Sequence, residues 1–415
     1  MGDLISIYGL WFLLSFFPLS TDEPIIDTTQ TYTYEIMVED LQELQHVYPT
    51  ILSYHSIGKS HYNREIFAVR LGKGPNPIII TGSHHAREWM STMVVMKMME
   101  EYAKSYSHNT VIGTFKASDI LEDSTIWFIP MVNPDGVTLQ QQGLSAFPAS
   151  VHAALIEMND GSDDFTRWKA NAIGIDLNRQ YPANWDAPSD VTEPSWMDYK
   201  GEFPFQALEV QAVRDFTVKI KPQIAVDYHT SGRILYWYFY NDDERDLALA
   251  TEFQDKTGYN MIDPSVEPTG RGYTDWFIQE FGLPGFTPEV GEYVEDEHVP
   301  LEDFPEDWER NKEIGLWLAA ESDDFQREET VPFNEKIRIT HAEQLYSEPS
   351  FLNTERATLS PQIVQAYEKS GNWYHVYTYL GEKWIHIPNR LKYFPEWTIL
   401  DFLRDRGDRF NCPVK

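Results

Sequence analysis

Apolar residues along the central part of the chain recur at two spacings, one typical of helices and one of strands. Apolar positions about three to four residues apart predict helices, whereas short continuous apolar runs predict buried strands. The predicted helices are 32–50, 89–106, 205–221, 272–282 and 307–322, and the predicted strands are 65–72, 76–82, 124–133, 223–232 and 284–291. Because strands alternate with helices, the pattern indicates an α/β domain with a largely parallel sheet over about residues 31–325.

The pattern changes near the C-terminus. From 337 to about 387, short alternating apolar runs are separated by Gly, Pro and Asn, which is typical of a small barrel or sandwich. We therefore predict a separate small all-β domain at 333–393, followed by a tail at 394–415 that could contain a docking helix.

The N-terminus carries a different signal. Leu4 to Leu19 is an apolar run of signal-peptide length, shorter than the ~20 residues that span a bilayer. Asp3 stands where a basic residue is expected, and no small-residue cleavage site follows. We interpret residues 1–30 as an export signal and linker, so the protein is expected to be secreted or cell-wall associated. The alternatives are a membrane-associated N-terminus, an incorrectly assigned start, and a cytoplasmic protein.

Charge and cysteine content exclude several classes of partner. The chain has 33 basic and 65 acidic residues, a formal net charge of −32. Such a surface repels phosphate backbones, so nucleic acid is not expected as a partner. Cys412 is the single cysteine, which excludes an intramolecular disulfide and cysteine-rich zinc sites, and no disulfide-linked partner is expected.

Polar residues follow three of the apolar strands. His84, His85 and Glu88 follow one, His229 ends a second and Glu289 lies in a third. In open α/β sheets, ligands bind beyond the carboxyl ends of the strands, and catalytic zinc takes three protein ligands plus water. His85 has the x-x spacing to Glu88, which with His229 provides two histidines and a carboxylate. Neighbouring histidines at a strand end point in different directions, so His84 is expected to have a packing or supporting role.

Six stretches then resemble one family: "GSHHAREWMS", "VNPDG", "GIDLNRQYP", "DYHTSG", "GYTDWF" and "GFTPEVG". They occur in the order found in zinc metallocarboxypeptidases of the carboxypeptidase A type, across about residues 32–320. The resemblance implies a mixed, mostly parallel eight-stranded sheet flanked by helices, with one zinc ion per chain. The stretches "RWKAN" and "HTSGRILYW" resemble sequences of the bacterial branch of this family, which cleaves γ-D-glutamyl–diaminopimelate links.

The resemblance also implies roles for individual residues. His85, Glu88 and His229 match the zinc ligands. Glu289 matches the general base, which takes a proton from water and returns it to the leaving amine.

Three further positions match substrate contacts of the family. Asn178 and Arg179 match the pair that binds the substrate's terminal carboxylate, a task that suits the planar fork of arginine. Arg87 matches a further substrate-binding arginine. For both arginines, the alternative is a surface ion pair.

The chain departs from the family pattern at several positions. The arginine that polarises the scissile carbonyl has two candidate replacements, Lys169 by alignment on Trp168 and Arg167 two residues earlier. The tyrosine that closes over the substrate has no clear match, and Tyr273 is an out-of-register stand-in.

The position that sets side-chain preference corresponds to Thr274, which indicates a pocket that is not purely apolar. Diaminopimelate ends in an amine and a carboxylate and would need polar partners, for which Arg271 and Arg233 are candidates.

The resemblance therefore predicts a zinc-dependent carboxypeptidase that cleaves peptides near a free carboxylate, plausibly peptidoglycan stem peptides. The alternatives are a general peptide-digesting carboxypeptidase and a non-catalytic cell-wall binding protein. Residues 333–393 resemble bacterial Src-homology-3-like modules, which could bind the cell wall through exposed aromatic residues. The alternative is that these aromatics form the core of the small domain.

Overall fold

The computed structural model describes residues 24–241, 244–325, 330–339, 342–349, 354–370 and 373–387. The predicted apolar export segment, Cys412 and the predicted tail at 394–415 lie outside these ranges. Within them, no helix is long and apolar enough to cross a membrane.

The described residues form helices and strands in alternation. The α-helices are α1 Tyr34–Val47, α2 Met90–His108, α3 Ala117–Asp123, α4 Pro134–Gln142, α5 His152–Met158, α6 Leu208–Ile220, α7 Glu244–Thr257, α8 Tyr273–Phe281, α9 Phe304–Asn311 and α10 Ile314–Phe325. The strands are β1 Leu52–Lys59, β2 Glu65–Gly72, β3 Asn76–Gly82, β4 Val111–Ile112, β5 Phe115–Lys116, β6 Ser124–Ile129, β7 Ala225–Thr230, β8 Ile234–Tyr236, β9 Asn260–Met261, β10 Gly285–Val290, β11 Val331–Ile339, β12 Glu343–Tyr346, β13 Thr354–Leu359, β14 Gln362–Ser370, β15 Trp373–Thr378 and β16 Gly381–His386. Short 3₁₀ turns occur at Ala86–Glu88, Gly143–Ala146, Ala149–Val151, Leu177–Arg179 and Leu301–Asp303.

An eight-stranded sheet forms the centre of the α/β part, in the order β1-β2-β6-β3-β7-β10-β8-β9. The four central strands β6, β3, β7 and β10 run parallel, whereas the β1–β2 hairpin and β8 add antiparallel partners. The predicted mixed, mostly parallel sheet flanked by helices is therefore confirmed. Because the central strands are parallel, the polar residues at the carboxyl ends of β3, β7 and β10 meet at the same end of the sheet.

Helices bury both faces of this sheet in separate apolar clusters. The methionines of α2 pack in the larger cluster, as expected of core residues, with Met90, Met93 and Met96 fully buried. At the end of β3, Gly82 lies against backbone, because a Cβ there would come within 3.1 Å of the carbonyls of Pro130 and Ser91. The strand end that carries the histidines is thus held by close backbone packing.

A second sheet contains six strands in the order β11-β14-β15-β16-β12-β13, and its pairs are antiparallel. The predicted all-β C-terminal part is therefore confirmed, while its likeness to Src-homology-3 modules and its boundaries stay predictions. This sheet packs on α3: His386 pairs with Asp123, and the Tyr346 hydroxyl lies 3.3 Å from the Asp119 carboxylate.

Several local features differ from the sequence prediction, among them a divided helix and an unpredicted first strand. The single helix predicted over 307–322 is two helices, α9 and α10. Before the break, the buried Asn311 amide donates to the Asp307 carbonyl and to the Tyr259 hydroxyl. The strand β1 was not predicted, because its residues alternate irregularly between buried and exposed.

Candidate active site and metal centre

Three side chains converge where β3 and β7 end. His85 directly precedes the short turn Ala86–Glu88, Glu88 is the last residue of that turn, and His229 lies in β7. The Nδ1 atom of His85 lies 2.9 Å from Oε1 of Glu88, and the Nδ1 atom of His229 lies 2.8 Å from Oε2. The two Nδ1 atoms are 3.0 Å apart. The structure thus brings together the three residues predicted as zinc ligands, all of them buried.

The remaining ring nitrogen of each histidine faces a buried carboxylate. His85 Nε2 lies 3.2 Å from Asp176, and His229 Nε2 lies 2.8 Å from Asp227. Carboxylate partners of this kind fix the tautomer and orientation of metal-binding histidines. Both Nδ1 atoms therefore have lone pairs available on the side of Glu88.

The electrostatics of this cluster favour a cation. Burial opposes ionisation of Glu88, but the neighbouring His85 and Lys169 outweigh it and hold the pKa of Glu88 well below its usual range. Burial also opposes charge on His229, yet Asp227 and Glu88 overcome it and raise the pKa of that imidazole well above its usual value. For His85, burial prevails and lowers the pKa, which favours the neutral imidazole that metals bind.

These donors fit zinc. At a Zn–N distance of ~2.1 Å in tetrahedral geometry, two ligand nitrogens lie about 3.4 Å apart, which is near the 3.0 Å spacing of the two Nδ1 atoms. Two imidazoles and a carboxylate are also a ligand set that catalytic zinc uses, with an open position for water. That position is available here, because His85 lines a cavity of about 320 Å³.

Glu289 lines the same cavity. It lies in β10, where its backbone pairs with His229 of β7. Burial raises the pKa of Glu289 to about 7, the neighbouring His229 opposes this rise, and the Glu88 carboxylate adds to it. A bound metal ion would oppose the rise further, so the group can both accept and release a proton near neutral pH.

The structure separates the two candidates for the polarising cation. Lys169 lines the cavity, and its Nζ lies 3.6 Å from Glu88. Arg167 is held elsewhere: its guanidinium pairs with Asp160 at 2.6 Å and lies 4.0 Å from the centre of the Trp196 ring. Arg167 is therefore not placed to contact a substrate in the cavity, whereas Lys169 is.

Asn178 and Arg179 line the cavity as well. The Asn178 side chain is oriented by the backbone N–H of Tyr273, which donates to its oxygen at 2.9 Å. Burial opposes charge on Arg179, but Asp176 and Asp198 outweigh it and raise its pKa, so the guanidinium stays charged. The pair can therefore present an amide and a guanidinium to a carboxylate.

Thr274 lies at the inner wall of the cavity, where its hydroxyl is 2.6 Å from that of Thr287. Asp275 lies beside it and accepts a hydrogen bond from the backbone of Gly272. Burial raises the pKa of Asp275 to about 6, against the lowering effects of the Gly272 hydrogen bond and Arg179. The inner wall is thus polar, as Thr274 predicts.

The structure corrects two of the predicted substrate contacts. Tyr273 is fully buried, with its hydroxyl 3.0 Å from Thr217, so it cannot close over a substrate. Arg87 is also buried away from the cavity, where it pairs with Asp296 and donates to the Arg167 carbonyl.

The two arginines considered as diaminopimelate partners are likewise occupied. Arg271 donates to the backbone carbonyl of Ala187 at 3.0 Å, and Arg233 pairs with Glu292 and Asp307. Neither lines the cavity.

Comparison with known proteins identifies the family to which this site belongs. The sequence model of the zinc carboxypeptidase family of peptidases matches residues 37–314. The chain belongs to the zinc carboxypeptidase family. It is accordingly a zinc-dependent peptidase, and the cluster at His85, Glu88 and His229 is a metal site suited to that cofactor.

Relatives support the same assignment. The chain is 33% identical over 299 residues to gamma-D-glutamyl-L-diamino acid endopeptidase 1 of Lysinibacillus sphaericus, covering 71% of this chain and 74% of that protein. It is 31% identical over 221 residues to metallocarboxypeptidase A of Trichophyton rubrum, covering 51% of this chain and 48% of that protein. The fold matches bovine thrombin-activatable fibrinolysis inhibitor in its complex with tick carboxypeptidase inhibitor, with a TM-score of 0.58, 18% identity, and coverage of 72% of this chain and 99% of that one.

Sequence reasoning missed the two carboxylates behind the histidines. Asp227 stands two residues before His229 in a strand, so both side chains point to the same face. Asp176 stands in the "GIDLNRQYP" stretch and also accepts from the backbone N–H groups of Asn178 and Asp198. The D-x-H spacing in a predicted strand was a usable signal for Asp227, whereas nothing in the sequence places Asp176 near His85.

Proposed function

We propose that this zinc carboxypeptidase-family enzyme hydrolyses γ-D-glutamyl–diaminopimelate links in peptides derived from bacterial cell walls. The observation that carries the proposal is the distribution of charge along the cavity. Lys169 and Arg179 line the cavity close to Glu88 of the metal site, whereas Asp263 and Glu267 line it from an exposed loop between β9 and α8. A diamino acid carries carboxylate and ammonium groups at opposite ends and so matches both.

The acidic side chains of Asp263 and Glu267 are available for a cationic ligand. Glu267 accepts a hydrogen bond of 2.5 Å from the Tyr240 hydroxyl, and Asp263 accepts one from the backbone of Ser265. Among the residues that the structure describes, neither carboxylate forms an ion pair with a lysine or arginine. An ammonium group at this position would gain a charge-assisted hydrogen bond.

The relative from Lysinibacillus sphaericus, named for γ-D-glutamyl–L-diamino acid cleavage, supports the same substrate class. We further propose that the N-terminal segment exports the enzyme, so that it meets such peptides outside the cytoplasm.

The chain's own residues can perform the reaction in a defined order. Arg179 and Asn178 bind the free carboxylate of the diamino acid and so place the scissile bond beside Glu289. When bound, zinc supplies a Lewis acid that polarises the carbonyl and acidifies water. Glu289 removes the proton from the attacking water, and Lys169 stabilises negative charge on the carbonyl oxygen. Glu289 then delivers the proton to the leaving amine.

The experiment is a comparison of four peptides, analysed by mass spectrometry after incubation with zinc-loaded enzyme. L-Ala-γ-D-Glu-meso-diaminopimelate should be cleaved to L-Ala-D-Glu and free diaminopimelate. The lysine analogue, which keeps the side-chain amine, should also be cleaved, whereas the leucine analogue, which lacks that amine, should be cleaved more slowly. Glu289→Gln protein, purified in the same way, controls for contaminating peptidases.

The fourth peptide separates the proposal from general carboxypeptidase activity. It is an α-linked L-peptide ending in leucine. Faster release of leucine from this peptide than of diaminopimelate from the wall peptide would overturn the proposed substrate and leave a general peptidase.

A further inference from the structure

A chain of buried side chains continues from the metal site into the protein. His229 directs Nδ1 towards Glu88 and Nε2 towards Oδ2 of Asp227, at 2.8 Å in each case. The amide nitrogen of Asn178 lies 3.1 Å from the same Nε2, but an NH₂ group cannot accept a hydrogen bond. Asp227 is therefore the acceptor for the Nε2 proton of His229.

The second oxygen of Asp227 is held by two other groups. His84 Nδ1 lies 2.7 Å from Oδ1, and the Thr81 hydroxyl donates to the same atom at 2.6 Å. On the far side of the ring, His84 Nε2 lies 3.0 Å from the Tyr181 hydroxyl. All of these side chains are fully buried, so no solvent competes for these bonds.

This network determines one tautomer. The two oxygens of Asp227 face the Thr81 hydroxyl, His84 Nδ1 and His229 Nε2, so the carboxylate is the acceptor of this network. His84 must then donate from Nδ1, and its Nε2 accepts from the Tyr181 hydroxyl. His229 donates from Nε2, so Nδ1 is the ring nitrogen directed at the metal site.

We propose that His84 is a positioning residue that acts through Asp227 on the zinc ligand His229. It touches neither the cavity nor the other two ligands. By binding Oδ1, it holds the carboxylate so that Oδ2 orients the His229 ring. Of the two adjacent histidines, His85 is a metal ligand itself, whereas His84 acts on the other histidine ligand, His229, through Asp227.

The network could be interpreted differently, because His84, Asp227 and His229 also have ligand atoms within 4.8 Å of one another. A second metal there would displace the proton on His229 Nε2 and remove the hydrogen bond that Asp227 accepts. Its ligands would be fully buried, and the cavity that His85 and Glu289 line does not reach His84. We therefore favour a hydrogen-bonded network, and metal stoichiometry distinguishes the two.

The test measures zinc affinity by competition with a chromophoric chelator. His84→Phe keeps a ring against Tyr273, whose ring is stacked on His84 at 5.7 Å, but removes both nitrogens. Because loss of an outer partner typically costs 10–100-fold in metal affinity, we expect zinc binding to weaken by about tenfold. His84→Asn restores an N–H near the Nδ1 position and should return the affinity to within about threefold of the parent.

Two further variants calibrate this effect. Asp227→Asn should weaken zinc binding at least as much as His84→Phe. Thr217→Val removes a buried hydroxyl that bonds Tyr273 on its other side, without touching the network. It should lower the melting temperature but leave zinc affinity unchanged. The visible spectrum of the cobalt-substituted protein should change in His84→Phe and not in Thr217→Val.

Three results would overturn the proposal: parent-like zinc affinity in His84→Phe, failure of His84→Asn to recover what the phenylalanine loses, or two zinc ions per parent chain with one lost in His84→Phe. If His84→Phe does not fold, Tyr181→Phe removes only the hydroxyl that bonds His84 and must weaken zinc binding. Because the measurement uses zinc alone, its outcome is independent of the substrate proposed above.

Discussion

The Nδ1 atoms of His85 and His229 lie 3.0 Å apart, although the residues are separated by 144 positions in sequence. Two imidazole nitrogens at this distance repel one another unless a proton or a metal ion lies between them, and the donors of this site fit zinc. Chelation of the metal should therefore abolish peptidase activity and lower the melting temperature, and added zinc should restore both. A ligand present at a thousand times its dissociation constant stabilises the folded state by about 4 kcal/mol, so the shift should be large.

This prediction is checked by elemental analysis together with calorimetry, before and after chelation. About one zinc per chain is expected in the active protein. Full activity in a protein shown to be metal-free would contradict it.

Replacing Glu289 with glutamine should separate catalysis from metal binding. The amide keeps the shape of the side chain but cannot accept the proton of the attacking water. A fall in kcat of about 10²–10⁴-fold is expected, with zinc content unchanged. Glu292→Gln, an exposed position three residues further on, is the matched control. Turnover of Glu289→Gln close to that of the control would remove Glu289 from the mechanism.

Lys169 and Arg167 provide a matched pair of cations two residues apart. Lys169→Ala removes the positive charge in the cavity, and a loss of about 10²–10³-fold in kcat is expected, as for other groups that stabilise an oxyanion. Arg167→Ala breaks only the contacts with Asp160 and Trp196, so kcat should stay within about threefold of the parent. Steady-state kinetics of both variants on one peptide decide the matter, and equal losses would contradict the separation that the structure shows.

Glu267 should contribute to recognition of the second amine. Because a hydrogen bond to a charged group contributes about 1.5–3 kcal/mol, Glu267→Gln should raise KM for the diaminopimelate peptide by about tenfold or more. The leucine analogue carries no side-chain amine, so its KM should hardly change. Glu280→Gln, exposed on α8 and outside the cavity, serves as control. A similar rise in KM for both peptides would argue against the proposed contact.

Glu209 gives a stability prediction that does not involve the metal site. It is fully buried in α6 near the Asn171 amide, and burial raises its pKa from 4.5 to about 7. The folded protein therefore binds this proton more tightly than the unfolded chain. The free energy of unfolding should fall as pH rises from about 4.5 to about 7, by on the order of 3 kcal/mol for this group.

Glu209→Gln should remove this contribution. The variant and the parent should have similar melting temperatures near pH 4.5, while the variant should be more stable above pH 7. Parallel melting curves against pH for the two proteins, measured with zinc in excess, would show that Glu209 stays ionised when folded.

Much of the fold follows from the sequence because the central strands are short, continuous apolar runs. The predicted strands at 65–72 and 76–82 match β2 and β3, and the site residues stand where apolar runs end. Such a signal depends only on local periodicity. The division between α9 and α10 was not predictable in this way, since Asn311 is held there by Tyr259, a residue distant in sequence.

The site was predictable only in part. The spacing of His85 and Glu88 is visible in the sequence, but the direction of a side chain in irregular backbone is not. From the sequence, either Lys169 or Arg167 could supply the positive charge, and alignment on Trp168 favours Lys169 only slightly. Their separation depends on Asp160 and Trp196, which capture the arginine, and on the backbone N–H of Ala86, which binds the Lys169 carbonyl. Tyr273 was misplaced for the same reason, because its direction is set by the tertiary contact with Thr217.

The contact between His386 and Asp123 determines where the C-terminal sheet lies relative to the metal site. Asp123 ends α3 and directly precedes β6, so the six-stranded sheet is fixed near the end where the parallel strands begin. The metal site lies at the opposite end, about 20 Å away along a six-residue strand. A surface bound to the C-terminal sheet would therefore contact the enzyme on the side opposite the metal site. The cavity would stay accessible to soluble peptides or to peptides still attached to a polymer.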